Sequence, residues 1–340
     1  MGDLVMRKSF AKTNGNGCFP LHSGCLPWTP RLNSSRQELK SPGVHEQRAS
    51  LSASNHGFCA FTLVELLVVI AIIGLLASIL LPALSKSAEQ ARGIICLSNT
   101  RQLNLAWRLY STDHNDFLPY NIGMAGSSLR SNLNWVNNVM TWDLSPDNTN
   151  PLTLTEASLG PFVSGSILVY HCPSDHVLSA EQMAAGWTGR LRSYSMNALV
   201  GNAGSFVAHG VNVNDPDYRQ FLKLSQIPQP TDIFVFLDEH PDSINDGYFV
   251  NRESYVQGGW SYPGAIGSSE WTHLPASYHD HSTALSFADG HSQLHRWKNS
   301  STFPPSKPFA SSLPIAIPAS PPDAGVDFQW LLSHMSIPGG

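Results

Sequence analysis

The sequence predicts an α+β chain in which a long N-terminal helix starts in a membrane and runs on into a head built on an antiparallel β-sheet. Three observations predict it. An uninterrupted apolar run occupies residues 61–84, the residues after it keep a helical period while turning amphipathic, and strand and hairpin signals gather between residues 193 and 297. These divide the chain into 1–60 as a leader, 61–84 as a transmembrane segment, 85–112 as the continuing helix, 113–298 as the head and 299–340 as a proline-rich tail.

The run Phe61 to Leu84 is long enough, at roughly 1.5 Å per residue, to cross a hydrocarbon core of roughly 30 Å. A core helix of a soluble domain seldom stays apolar on all faces over such a length. A secretory signal peptide would sit close to the N-terminus and end in a small-residue cleavage site beyond its apolar core. Here a long polar stretch comes first, and the small residues, Cys59 and Ala60, immediately precede the run.

Charge changes sign across this boundary. Residues 1–60 hold seven Lys or Arg against three Asp or Glu, and the remainder holds thirteen against twenty-two. The basic residues are dispersed and form no dense patch to follow phosphates, which argues against nucleic-acid binding. A positive flank retained on the cytoplasmic side of a membrane fits instead.

Glu65 is a carboxylate inside the apolar run, with no partner apparent within that segment. At mid-helix it would cost roughly 2.5–3.5 kcal/mol on insertion scales, although the positive end of the helix dipole favours it near the helix start. The segment Phe61-Thr62-Leu63-Val64-Glu65 resembles the prepilin-type cleavage and methylation motif of type IV pilins and type II secretion pseudopilins. That resemblance implies cutting by a prepilin peptidase between Ala60 and Phe61, N-methylation of Phe61, and a role for Glu65 in assembly through a neighbouring subunit's N-terminal amine. Pro82 falls where the family has a helix-kinking proline, whereas Ala60 stands where the family usually has Gly. The implied partners are the peptidase, other pilin-like subunits, an assembly platform and membrane lipid. The implied location is the bacterial inner membrane, with the leader cytoplasmic and the head periplasmic.

Beyond Pro82, Cys96, Leu103, Ala106 and Tyr110 recur at helical spacing, which extends the helix to about Thr112 and leaves Lys86, Glu89, Arg92, Arg101 and Arg108 for the other face. Residues 121–170, rich in Asn, Ser, Pro and Asp, read as loops and short strands. Ser193–Asn197 reads as a short strand and Asp232–Asp238 as a buried one. In Thr283–Trp297, Asp289-Gly290 suits a two-residue turn with both positions at positive φ, which would set Leu285 opposite Leu294. His279, with nine residues between it and Asp289-Gly290, resembles the processing-associated C-terminal signature of a pilin-like family. The tail from Phe303 to Pro322 reads as extended, with a short element over Asp327–Met335.

With Cys18, Cys25 and Cys59 in the leader, Cys96 and Cys172 remain as an even pair. In an exported domain such a pair suggests a disulfide, two unpaired buried thiols being the alternative. Tyr170–Asp175 also resembles a family element whose cysteine pairs with the one on the helix.

The candidates for further chemistry are two. His279, His281, His291 and His295, with Asp280 and Asp289, have the residue types of a zinc site, but His291 and His295 would lie roughly 13 Å apart on one strand. Asp238, Glu239, Asp242, Asn245 and Asp246 offer oxygens to calcium, which some secretion pseudopilins bind, although their spacing does not match an EF-hand. No Ser-His-Asp arrangement, phosphate loop or dinucleotide fingerprint occurs. The expected role is therefore structural rather than enzymatic: a subunit of a pseudopilus or pilus-like fibre. The alternative is a membrane-tethered head that binds glycan or metal or carries out hydrolysis.

Overall fold

The computed structural model describes residues 62–123, 132–251, 270–310, 313–317 and 325–339. Ala60 and Phe61, which flank the expected cut, lie outside the described residues. Helix α1 spans Leu63–Asp113, a residue beyond the end expected from the periodicity. Its lower part is exposed on every side, and by length and composition it can cross a membrane. Pro82 sits inside α1 without ending it. Its ring removes one backbone donor, and the Ser85 hydroxyl donates to the Pro82 carbonyl at 2.9 Å.

Above the membrane-length segment the spacing of small and apolar residues decides which face is covered. Gly93, Cys96, Thr100, Leu103, Trp107 and Tyr110 are all buried, at alternating steps of three and four, so they form one stripe against the head. Ile94, Ile95, Leu105 and Leu109 stay exposed on the other side. Each fully buried large side chain in this stripe is worth about 1.5–3 kcal/mol of transfer free energy. Arg108 departs from the expected polar face: it is half-buried and donates Nη1 to the Ala288 carbonyl at 3.0 Å.

The strands are β1 (Tyr194–Asn197), β2 (Val207–Ala208), β3 (Val211–Asn212), β4 (Phe234–Asp238), β5 (Tyr248–Phe249), β6 (Glu270–Trp271), β7 (Ser282–Phe287), β8 (Ser292–Arg296) and β9 (Ile315–Ala316). The main sheet has five strands in the order β5-β1-β4-β7-β8. Its pairs are antiparallel except β1 with β5, which is parallel. The α1 stripe packs on one face against Tyr194, Met196, Val235, Phe236 and Ala284. The other face carries Phe234, Leu237, Leu285 and Phe287. Strict alternation would put Phe234 and Phe236 on the same side. A register shift between them inserts one extra residue opposite β7, which turns Phe236 toward α1.

Three sequence expectations are corrected here. The β7–β8 connection is not a two-residue turn: Gly290 N–H donates to the Phe287 carbonyl at 2.8 Å and Phe287 N–H to the His291 carbonyl at 2.9 Å, enclosing three residues. Only Gly290 of the Asp289-Gly290 pair takes positive φ, at 101°. This is a type I turn followed by a left-handed residue, and it sets Leu285 opposite Gln293 and Leu294 opposite Ala284.

The described part of residues 121–170 contains short helical turns, among them Leu152–Thr155, instead of paired strands. Its asparagines satisfy backbone groups that a sheet would have paired; Asn148 Oδ1, for example, accepts from Thr141 N–H at 2.9 Å.

The C-terminal segment is not a detached tail. A helix over Val326–Ser333 buries Phe328, Leu331 and Leu332 against Trp271, Leu274, Phe287 and Trp297. Strand β9 pairs with β6. The head is therefore layered as α1, sheet and C-terminal helix.

Candidate functional site

Two features of this framework carry chemistry. The first is the start of α1. Thr62 is its N-cap in extended backbone, and Glu65 is the third helical residue. Glu65 N–H donates to Thr62 Oγ1 at 3.2 Å, while Thr62 N–H and its hydroxyl donate to Glu65 Oε2 at 2.8 and 2.7 Å. The carboxylate thus has partners within the segment, contrary to the sequence expectation. The Thr-x-x-Glu pattern of a capping box was legible in the sequence and explains how an acid is tolerated at the head of an apolar helix.

The second feature lies where α1 meets the sheet. Cys96 on α1, Cys172, Asp238 at the end of β4 and His279 before β7 are all buried, and their ligand atoms lie within 4.8 Å of one another. Cys96 Sγ–H donates to Asp238 Oδ2 at 3.1 Å, and Cys172 Sγ is 3.4 Å from His279 Nε2. His279 Nε2 is 3.8 Å from Asp238 Oδ2. Both cysteines are free thiols, so the expected Cys96–Cys172 disulfide is not formed in this structure.

Each of the four groups is held by its own local scaffold. Cys172 N–H donates to Ser193 Oγ at 3.1 Å, and the Ser193 hydroxyl donates to Asp175 Oδ2 at 2.8 Å. Asn99 on α1 donates Nδ2 to the His171 carbonyl at 3.0 Å. Ala284 N–H donates to Asp238 Oδ1 at 2.6 Å, which leaves Oδ2 turned toward the thiols. The Tyr194 hydroxyl donates to Cys96 Sγ at 3.1 Å.

His279 enters through a tight turn in which Asp280 and His281 both take left-handed backbone, φ 53° and 61°. Its imidazole rests on α1 at Gly93, where an added Cβ would meet His279 Cγ at 3.4 Å.

Burial governs the electrostatics here. It pushes the Asp238 carboxyl up to about 7, because a charged carboxylate is poorly solvated in this interior. It likewise raises the Cys96 and Cys172 thiols and lowers His279, so every member of the cluster is driven toward its neutral form.

The other sequence candidates do not join this site. Glu239 Oε1 lies 2.8 Å from His273 Nδ1; burial lowers the His273 pKa, but attraction to and the hydrogen bond with Glu239, helped by Asp246, outweigh it and leave His273 above its ordinary value. Asp242 accepts from Lys307 N–H at 2.9 Å. Asp246 Oδ1 accepts from Tyr248 N–H at 3.0 Å. The acidic residues proposed for calcium thus turn to different partners. His291 stacks on Phe287 and lies 2.7 Å from Asp289, and His295 stacks on Trp330. Of the histidines in the C-terminal cluster, His279 alone reaches the buried group.

Residues 55–81 match the family described as the prokaryotic N-terminal methylation motif. The chain carries that motif. The match spans the expected cut, Glu65 and most of the apolar run, and it is consistent with a type IV pilin-like or pseudopilin-like protein and with a substrate of a prepilin peptidase. Together, the motif and the long apolar helix fit a single-pass, membrane-anchored protein. No curated protein and no solved structure matches the chain.

Proposed function

We propose that the chain is a structural subunit of a pseudopilus or type IV pilus-like fibre. A prepilin peptidase removes residues 1–60, the new amine at Phe61 is methylated, and the subunit waits in the inner membrane with its head on the periplasmic side. Assembly brings α1 segments of neighbouring subunits together. The observation that carries this reading is the methylation motif placed at the start of a helix whose first twenty-five or so residues pack against nothing else among the described residues.

In this reading the Thr62–Glu65 cap is a storage arrangement. Thr62 satisfies the carboxylate in the lone subunit, and an incoming subunit's methylated amine takes its place as the stronger, charge-assisted partner. In this reading the chain is acted upon, as a substrate of the peptidase and of the methylating enzyme.

The test is the N-terminal residue of the mature protein. Mass spectrometry of membrane-extracted protein should find a chain beginning at Phe61 and heavier by one methyl group. A mature chain that still carries residues 40–60 would reject the reading.

A further inference from the structure

We propose that Cys96, Cys172, Asp238 and His279 form a structural zinc site that staples α1 to the head. A tetrahedron with metal–ligand bonds of about 2.0–2.3 Å has edges of roughly 3.3–3.8 Å. The separations of 3.1, 3.4 and 3.8 Å among Cys96 Sγ, Asp238 Oδ2, Cys172 Sγ and His279 Nε2 fall on or near that range. Remaining distances stay within 4.8 Å, so small rotations of the side chains close the shell around one ion.

The donor set selects the metal. Two thiolates and an imidazole in tetrahedral array favour zinc, and a carboxylate oxygen completes four ligands. All four positions are filled by protein and all four residues are buried, which leaves no open position for substrate or water and makes the site structural.

The surroundings are those of a ligand shell. Asp238 Oδ1 is occupied by Ala284 N–H, so its Oδ2 is the free oxygen, and the Tyr194 hydroxyl supports Cys96 Sγ. His279 Nε2 faces the cluster while its buried Nδ1 has no partner, in the field of Glu89 one helical turn below Gly93. The paired left-handed residues Asp280 and His281 are backbone strain located next to a ligand, where the ion's binding energy offsets it. Binding is a proton exchange without redox change: Zn²⁺ displaces both thiol protons, together with any proton on Asp238, and these pass to solvent.

This inference is independent of processing and assembly, since it concerns the head alone. Full-length protein without a polyhistidine tag, extracted in detergent and dialysed free of loose metal, is analysed by elemental mass spectrometry and by peptide mapping of alkylated cysteines. The expected result is about one zinc per chain, with Cys96 and Cys172 both alkylated only after denaturation with chelator. His279→Gln and Cys172→Ser should lower zinc to below about a tenth per chain, and His291→Gln should retain it. Cobalt substituted for zinc should show thiolate charge-transfer and tetrahedral ligand-field bands.

A metal-free chain whose peptide map holds a Cys96–Cys172 disulfide would overturn the proposal. So would reduced apo-protein that takes up no added zinc, or zinc retained at full occupancy in both ligand variants. If either variant fails to fold, the metal content and thiol map of the unaltered chain decide the question.

Discussion

Asn104, fully buried on α1, donates Nδ2 to the main-chain carbonyl of Phe287 at 2.8 Å, at the point where β7 enters its turn. Four residues on, Arg108 donates to Ala288, so one face of the helix grips two successive carbonyls at the hairpin corner. These polar contacts fix the height at which the sheet hangs on the helix.

Replacing Asn104 by Ala removes the donor from a carbonyl that still accepts from Gly290. The expected loss is about 1–2 kcal/mol, measured by denaturant unfolding of detergent-solubilised protein. Asn104→Asp should cost more, since it places an acceptor against an acceptor. Stability equal to the unaltered chain in both variants would show that the contact does not hold the helix.

Glu65→Ala should separate anchoring from assembly. Loss of the carboxylate makes insertion easier, by up to roughly 2.5–3.5 kcal/mol on the mid-helix scale and less near the helix end. Carbonate extraction should therefore find the variant in the membrane, while cross-linking should find no oligomers. Thr62→Val removes the hydroxyl partner of Glu65 and keeps the backbone N–H of residue 62. In that variant the acid is freer for a neighbouring amine, and oligomers should persist. Normal cross-linked oligomers in Glu65→Ala would remove the assembly role.

The helix and the strands were legible because each has a period. Leu63–Asp113 and Phe234–Asp238 announce themselves through apolar spacing, and Asp289-Gly290 announces a turn. The buried cluster was not legible as a unit. Every member was conspicuous by itself, Cys96 and Cys172 as a pair, His279 in a C-terminal signature and Asp238 in an acidic run. Cys96 and Asp238 are separated by 142 positions, and only the packing of α1 on the end of β4 joins them. The C-terminal helix was legible only as a short element over Asp327–Met335, because its two turns are too short to establish a helical period.

That helix makes Asp327 a test of the layered head. Its buried carboxylate accepts from Lys298 N–H at 2.9 Å, Asn299 N–H at 2.8 Å and the Thr302 hydroxyl at 2.9 Å, tying the helix to the chain just beyond β8. Asp327→Ala strands three donors, the buried Thr302 hydroxyl among them, and should destabilise the head by roughly 1–3 kcal/mol in chemical denaturation. Deleting residues 325–340 uncovers Trp271, Leu274 and Phe287 and should yield aggregated protein. A soluble, cooperatively folding truncation would return the segment to the status of a tail.

The same interface should make stability depend on pH through His295. Its ring stacks on Trp330 with centroids 3.5 Å apart, and Trp330 in turn stacks on His334 at 4.0 Å. Burial lowers the His295 pKa to about 4; attraction to Asp327 opposes the fall, while repulsion from His334 and Lys298 deepens it. An unfolded histidine titrates near about 6.5, so the unfolded chain takes up this proton first. The contribution of neutral His295 is complete above that value and is lost as pH falls from about 6.5 toward about 4. Unfolding curves between pH 7 and pH 4.5 should therefore lose stability more steeply for the unaltered chain than for His295→Gln. Taking the difference between the two chains cancels groups that titrate in both. Identical slopes would mean that His295 is protonated in the folded head and that its stack with Trp330 does not exclude charge.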